Sequence, residues 1–497
     1  MKKTIFVAIL IIGIILIEGC IGDIPENFNR KNTSSPFGIA FGEGSKNLDN
    51  FMDYIHDLGV NRTKVSFYWS EIEPSEGVYN WERVDEYLNQ IGPDDKALLN
   101  IFTDGWCTNN ESRKGSTLKC KECEEKYREF IVNLVKHTGG KITYWQRDTE
   151  PASVHHFPKD KAKEYVEIQK IFYEAVKSVQ PDAIVIGVNN NGEFKRGAPT
   201  NRKFFEYVVE NMRDYFDILD IRLYKDMYDI PLRVKWFRDE MLKNGYEKPI
   251  VTTEFGGPDP REFSDDFKKF LNDTKITFEE MVKSGELELT EEQLEEIKET
   301  GIVPYKILKF VYEKMRKNEL IPPQIDMFLP DTSKELEEKR NRIHFKDLIQ
   351  RHIIILSTGI REMWYWNLKS SGTDIIFGKM RLMNPRGWKK LPPYFCYQRM
   401  IHHIGNVGKS VERLKTDNKD IYLFKLTMDD GSIKYIVWER RDPFYGENEP
   451  KTFFEMNIGW NKVKVIDAFG KENMKFTNNG ILSINIDDTP LYIEEAD

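Results

Sequence analysis

The sequence is poor in features that mark several common functions. It has 5 cysteines in 497 residues and a net charge of -8, and no basic run is long enough to follow a phosphate backbone, which argues against nucleic acid as a partner. Cys120-Lys-Glu-Cys123 has the spacing of half a zinc site but stands alone, so metal binding is the minority reading and no cofactor is expected. The N-terminal apolar run, Ile5 to Ile17, is short for a membrane span.

That run follows Lys2 and Lys3 and leads into Glu18-Gly-Cys20, the order of an export signal. Ile17-Glu-Gly-Cys20 resembles a lipoprotein-type signal, which makes Cys20 a lipid anchor and the mature N-terminus; an uncleaved N-terminal anchor is the alternative. Either reading places the body of the protein on the extracellular face of the cell membrane, behind a polar, turn-rich tether over 21–35. In an oxidising compartment the expected use of the nearby cysteines is a disulfide from Cys107 to Cys120 or to Cys123, and sequence does not choose between them. Asn32, Asn61, Asn110 and Asn272 open glycosylation tripeptides, a pattern that also arises by chance.

What is abundant is aromatic surface, with 10 Trp, 22 Tyr and 31 Phe, enough for a large core and for rings that stack on flat ligand faces. Short apolar runs alternate with helical periodicity. Strands are expected at 37–42, 63–69, 97–102, 143–150, 183–187, 216–224, 249–255 and 361–367, with helices near 48–58, 81–91, 126–135, 161–179, 201–211, 231–244 and 345–357. A charged, helical insertion over about 258–338 includes an acid-rich stretch, Glu286 to Glu296, that reads as a solvated helix face. This alternation predicts an α/β fold, a (β/α)8 barrel over 36–406. After 406 the pattern changes to short strands at 421–426, 434–438, 462–466, 481–486 and 491–493, a small all-β, sandwich-like domain over 407–497.

Two carboxylates carry the chemical expectation. Thr143-Tyr-Trp-Gln-Arg-Asp-Thr-Glu150-Pro151 is a strand that ends on an acid with a proline stop, and Pro249-Ile-Val-Thr-Thr-Glu254-Phe-Gly-Gly257 delivers a second acid in the same way. Barrels of this class keep their chemistry at the C-terminal ends of their strands, where both acids are expected. Around these residues the chain resembles the clan A glycoside hydrolases. Trp69-Ser-Glu-Ile-Glu-Pro-Ser-Glu-Gly-Val-Tyr-Asn-Trp81, followed by Asp85, resembles the segment after strand two in that clan; Thr253-Glu254-Phe-Gly256 resembles the nucleophile strand, and Trp364-Tyr-Trp366 strand eight. The resemblance implies a retaining glycosidase acting on an oligo- or polysaccharide, with Glu150 as acid/base and Glu254 as nucleophile. It also implies Trp366 under the sugar to be cleaved and Tyr224 as hydrogen-bond donor to the nucleophile, and Trp106 is a further candidate for the cleft.

Three positions depart from the clan pattern. Thr149 stands where an Asn binding the sugar 2-hydroxyl precedes the acid, Lys64 where strand two carries Arg, and Arg222 where strand six carries His. Lys64 and Arg222 beside the cleft would suit an anionic sugar such as a uronic acid. The competing expectation is a catalytically decayed, membrane-tethered carbohydrate binder; retention of both glutamates favours the enzyme.

Overall fold

Alternation of strand and helix closes into a barrel because each strand has one face for the barrel interior and one for a surrounding helix layer. The computed structural model describes residues 35–44, 46, 48–109, 115–153, 157–190, 194–300, 303–370, 375–384 and 387–496. The expected signal and tether, Cys20, and the tripeptides at Asn32 and Asn110 lie outside the described residues. Eight parallel strands form the closed barrel: β1 (Phe37–Ala40), β2 (Arg62–Tyr68), β3 (Lys96–Phe102), β4 (Ile142–Arg147), β5 (Ile184–Gly187), β6 (Ile218–Asp220), β7 (Ile250–Phe255) and β8 (Met363–Trp366), with β8 returning to pair with β1. The barrel helices are α1 (Phe51–Asp57), α2 (Glu82–Leu88), α3 (Lys121–Thr138), α4 (Ala162–Val179), α5 (Arg202–Asn211) and α6 (Ile230–Lys243). In α3, Tyr127, Phe130, Ile131, Leu134 and Val135 are buried at helical spacing against the strands, each contributing about 1.5–3 kcal/mol.

Period two along β2 shows how the interior is layered. Val65 and Phe67 enter the helix-side core, while Arg62 and Lys64 point inward at different heights. At the bottom, Arg62 donates to Glu362 (2.8 Å) and Tyr144 (2.9 Å). Above this plug is an apolar layer of Ala40, Leu98, Tyr144, Ile186, Val251 and Trp364. A polar layer of Lys64, Gln146, Asp220, Arg222 and Thr253 caps it at the strands' C-terminal ends.

Between β7 and β8 the insertion contains α7 (Ser264–Lys283), α8 (Glu291–Thr300) and α9 (Tyr305–Lys317); α7 and α9 share an apolar cluster that includes Phe270, Val311, Tyr312 and Met315. The stretch from Glu286 to Glu295 is largely exposed. After a single helical turn at Pro323–Asp326, α10 (Lys334–Ser357) starts well before the expected Phe345, because Ser333 caps it by accepting from the Leu336 amide (3.2 Å). Helix α11 (Pro392–Ile404), which sequence periodicity left unassigned, leads into the terminal sheets.

Those sheets comprise β9 (Val407–Leu414), β10 (Ile421–Met428), β11 (Ile433–Glu439), β12 (Thr452–Asn457), β13 (Lys462–Asp467), β14 (Glu472–Phe476), β15 (Ile481–Ile486) and β16 (Leu491–Glu495). One sheet has the order β9-β10-β11-β16-β13-β14 and the second pairs β12 with β15, with Leu423, Val437, Val463, Leu482 and Ile484 in the core between them. The other face of the larger sheet joins the barrel core through Phe424, Trp438 and Tyr492.

Candidate active site

Glu254 owes its position to an irregularity in β7. Thr252 pairs with Met363 and Phe255 with Tyr365, so Thr253 and Glu254 together stand opposite the single residue Trp364 of β8. Such a bulge breaks strict alternation, and both side chains reach the interior. Lys64 Nζ donates to Glu254 Oε1 at 2.7 Å, Arg222 Nη2 pairs with the same oxygen at 3.2 Å, and the Tyr224 hydroxyl donates to Oε2 at 3.4 Å.

Beneath the carboxylate, the Thr253 hydroxyl donates to Asp220 Oδ2 (3.0 Å) among Lys64, Gln146 and Arg222, and Asp220 Oδ1 accepts the Thr253 amide (2.7 Å). Arg222 donates to Asp220 Oδ2 at 2.6 Å. Burial and the neighbouring guanidinium of Arg222 pull Lys64 down to about 8, against the charges of Glu254 and Asp220. Burial opposes the charge of Arg222, but Asp220 and Glu254 outweigh it and hold Arg222 above the ordinary guanidinium range. Burial and then Glu254 raise Tyr224 well above the usual phenol, so it is a hydrogen-bond donor here.

Glu150 is reached differently from the sequence expectation. β4 ends at Arg147, and the acid sits in the following turn instead of at the strand tip. Asp148, Glu150 and Ala152 all have positive φ, at 51°, 49° and 63°. Such conformations cost about 1–3 kcal/mol each and persist only where surroundings impose them. The constraints are visible: buried Arg147 pairs with Asp148, Asp148 accepts the Thr103 amide (2.7 Å), Asn189 Nδ2 holds the Arg147 carbonyl (2.8 Å), and Arg147 packs over the Tyr165 ring (4.3 Å). Burial, and next the negative charge of Glu254, push the Glu150 carboxyl up to about 7 despite Arg222, Arg261 and Lys64.

Glu150, Glu254, Thr149, Tyr224 and Trp366 line one cleft of about 370 Å³, together with Tyr68, Phe102 and Phe377. Tyr68 stacks on Phe102 (5.0 Å) and Tyr224 meets Phe377 edge-on (5.0 Å), so aromatic surface borders both acids. Phe377 also lies beneath the Arg261 guanidinium (5.4 Å), while nearby Ile375 packs on the insertion's core. Gly42 forms part of the wall at φ 99°, where a Cβ would lie 2.5 Å from the Lys369 carbonyl oxygen.

Three sequence candidates sit elsewhere than expected. Lys64 and Arg222, 1% and 0% exposed, lie beneath Glu254 and do not line the cleft. Their two positive charges stand against Asp220 and Glu254, leaving no surplus cation in this cluster for an anionic sugar. Trp106 is also absent from the cleft wall: its ring packs against Trp69 (5.8 Å), in a loop tied to α3 by the Cys107–Cys123 disulfide. Trp69 is buried and donates to Glu73 (2.7 Å), which also accepts the Gly77 amide (2.8 Å), so this part of the Trp69 to Trp81 segment braces the barrel top. Sequence reasoning missed Asp220 and Thr253. The two-residue spacing of Asp220, Arg222 and Tyr224 was the available signal for Asp220; Thr253 needs the bulge, which no pattern announces. Among the described residues no group of three or more His, Cys, Asp or Glu side chains is arranged to hold a metal ion.

No family model matches the sequence, and no curated protein matches it. Solved structures do match in fold. A family 39 glycoside hydrolase from Bacteroides cellulosilyticus superposes with a TM-score of 0.60 at 15% identity, covering 93% of this chain and 82% of that one. A monomeric beta-xylosidase from Caulobacter crescentus gives 0.55 at 13% identity, covering 93% and 97%. The catalytic domain of the family 30 xylanase C from Talaromyces cellulolyticus gives 0.54 at 10% identity, covering 93% and 96%. The likeness is one of fold: the (β/α)8 barrel and terminal β-domain implied by the clan A resemblance are the architecture of this chain.

Proposed function

We propose that the protein is a retaining glycosidase acting on neutral, extracellular glycans, with Glu254 as nucleophile and Glu150 as acid and then base. The observation that carries this reading is that two carboxyl groups share one aromatic cleft in opposite surroundings. Glu254 is held by two cations and a phenol, whereas Glu150 keeps its proton to about 7. Retaining hydrolysis needs this division. Glu254 attacks the anomeric carbon as Glu150 protonates the departing glycosidic oxygen, forming a glycosyl-enzyme. Glu150, now ionised, takes a proton from water, whose oxygen attacks the same carbon and releases Glu254. Trp366, Tyr68 and Phe102 supply flat apolar surface for sugar rings. The balanced charges around Lys64 and Arg222 favour a neutral sugar over a uronate. The export-type N-terminus supports an extracellular, membrane-tethered location, and the disulfide fits that compartment.

The test is turnover of aryl β- and α-glucosides, xylosides, arabinosides and glucuronides by the wild type, Glu254→Ala and Glu150→Ala. The expected result is turnover of a neutral glycoside that Glu254→Ala abolishes. Glu150→Ala should retain it only for aglycones that leave without protonation. Activity surviving Glu254→Ala removes Glu254 as nucleophile, and preference for glucuronides refutes the charge argument.

A further inference from the structure

Three cysteines beside the β3 loop form a group that glycoside hydrolysis does not use. Cys107, in that loop, is bonded to Cys123 in the first turn of α3. Cys120, the residue before α3, is a free and exposed thiol, and its Sγ lies 3.5 Å from Cys123 Sγ. A sulfur at this separation is near van der Waals contact with one end of an existing disulfide, the starting arrangement for exchange. Residues three apart at a helix start also have the α-carbon spacing a disulfide spans. The Cys120 backbone is extended and its side chain makes no capping hydrogen bond to α3, so turning toward Cys123 sacrifices no helix contact.

We propose that Cys107, Cys120 and Cys123 constitute an internal thiol–disulfide exchange site. The Cys120 thiolate attacks Cys123 Sγ; the Cys120–Cys123 bond forms as the Cys107–Cys123 bond breaks, and Cys107 leaves as a thiolate that takes up the proton Cys120 gave to solvent. One thiol and one disulfide exist before and after, so the step requires no oxidant or reductant. Its structural consequence is to release the β3 loop from its covalent tie to α3. That loop begins at Thr103, whose amide donates to Asp148 (2.7 Å) two residues before Glu150, so the exchange bears on the loop that holds the acid. After exchange the loop keeps its contacts to Lys119, which donates through its amide to the Cys107 carbonyl (3.0 Å) and through Nζ to that of Trp106 (2.7 Å).

The experiment uses the unreduced full-length chain with micromolar N-ethylmaleimide, slow enough for exchange to keep pace, followed by acid quench and non-reducing peptide mass mapping. The expected result is label on Cys120 and also on Cys107, the latter accompanied by a Cys120–Cys123 disulfide. Cys107 labelling should rise with pH, be independent of protein concentration, and fall at least tenfold in Cys120→Ser while persisting in Cys396→Ser. In Cys107→Ser, glutathione disulfide should close Cys120 onto Cys123 and remove both from the alkylatable pool. The proposal is overturned if wild-type Cys107 never labels, if it labels equally in Cys120→Ser, if Cys123 is found free opposite a Cys107–Cys120 bond, or if both thiols of Cys107→Ser stay alkylatable.

Discussion

Replacing Glu254 by Gln keeps its shape and removes its charge, which isolates one of the two forces holding the proton on Glu150. Burial is the larger and Glu254 the second. At the separation of about 5.5 Å that the proposed retaining mechanism calls for, and an effective dielectric of about 20, two such charges repel by about 3 kcal/mol, or about 2 pK units. Part of this is lost to a second titration. Lys64, already drawn down to about 8, loses in Glu254 a partner that raises it, so it sheds its proton nearer neutrality and withdraws a cation that also favours ionised Glu150. The net expectation is a fall of about 1 to 2 units, leaving Glu150 between about 5 and 6 and still above an ordinary carboxyl because burial persists. The assay is a carbon-13 NMR titration of protein labelled at the glutamate carboxyl carbon, the Glu150 signal being the one absent from Glu150→Gln. A midpoint in Glu254→Gln within about 0.3 units of wild type, or above it, would refute electrical coupling between the two acids and with it the division of roles.

Three further substitutions follow from the same geometry. Lys64→Met removes the cation 2.7 Å from Glu254; breaking a buried pair of this kind costs about 3–5 kcal/mol, read as a lower denaturation midpoint, and kcat/KM on the best aryl glycoside should fall about a hundredfold. Thr149→Asn should raise kcat/KM roughly tenfold on substrates with a 2-hydroxyl and leave the 2-deoxy analogue unchanged, the effect of one added hydrogen bond. Glu150→Gln tests linkage: the folded carboxyl is raised from 4.5 to about 7, so its contribution to stability is full below pH 4.5 and lost as pH rises through 7. The Gln variant should therefore unfold with wild type at pH 4 and be about 1–3 kcal/mol more stable at pH 8, by urea denaturation.

The barrel was legible because its signals are local and repeated: apolar, β-branched or aromatic runs of three to seven residues between amphipathic helices, each paired with a parallel neighbour. The elements that sequence missed lack such signals. β9 and β14 are the edges of the larger terminal sheet, and their charged residues, such as Glu412, Arg413, Glu472 and Lys475, suit an edge and hide a strand. β6 is short, Ile218–Asp220, because Arg222 and Tyr224 after it turn to Glu254; Ile221 still donates to the Val251 carbonyl (3.1 Å) and Leu223 bridges to Phe255. The two cleft carboxylates were visible by residue type, and Glu254 by its strand, whereas the turn that carries Glu150 beyond the end of β4 was not. The roles of Lys64 and Arg222 were not, because charge alone does not say whether a side chain faces a cleft or lies under it.

Strain and buried charge at this site are parts of one arrangement. Besides Asp148, Glu150 and Ala152 after β4, positive φ recurs at Val188 and Asn189 after β5 and at Lys225 after β6, on three neighbouring strands. Each group has a buried polar clamp. Asn189 accepts from Gln146 (2.9 Å) while holding the Arg147 carbonyl. Arg351 Nη1 donates to the carbonyls of Leu223 (3.3 Å) and Lys225 (2.7 Å), on either side of Tyr224, and Arg233 holds the Tyr224 carbonyl between them. An ordinary turn would relax such backbone, and loosening any clamp would move Glu150 or Tyr224 relative to Glu254. In this light the departures at Lys64 and Arg222 are internally compensated: the charge of Arg222 is met by Asp220, two residues earlier at the end of β6, at 2.6 Å, and that of Lys64 by Glu254 on β7 at 2.7 Å. A site kept only for binding has no need of paired buried cations under Glu254 or of a strained turn under Glu150, so these costs support the proposed glycosidase over a decayed binder.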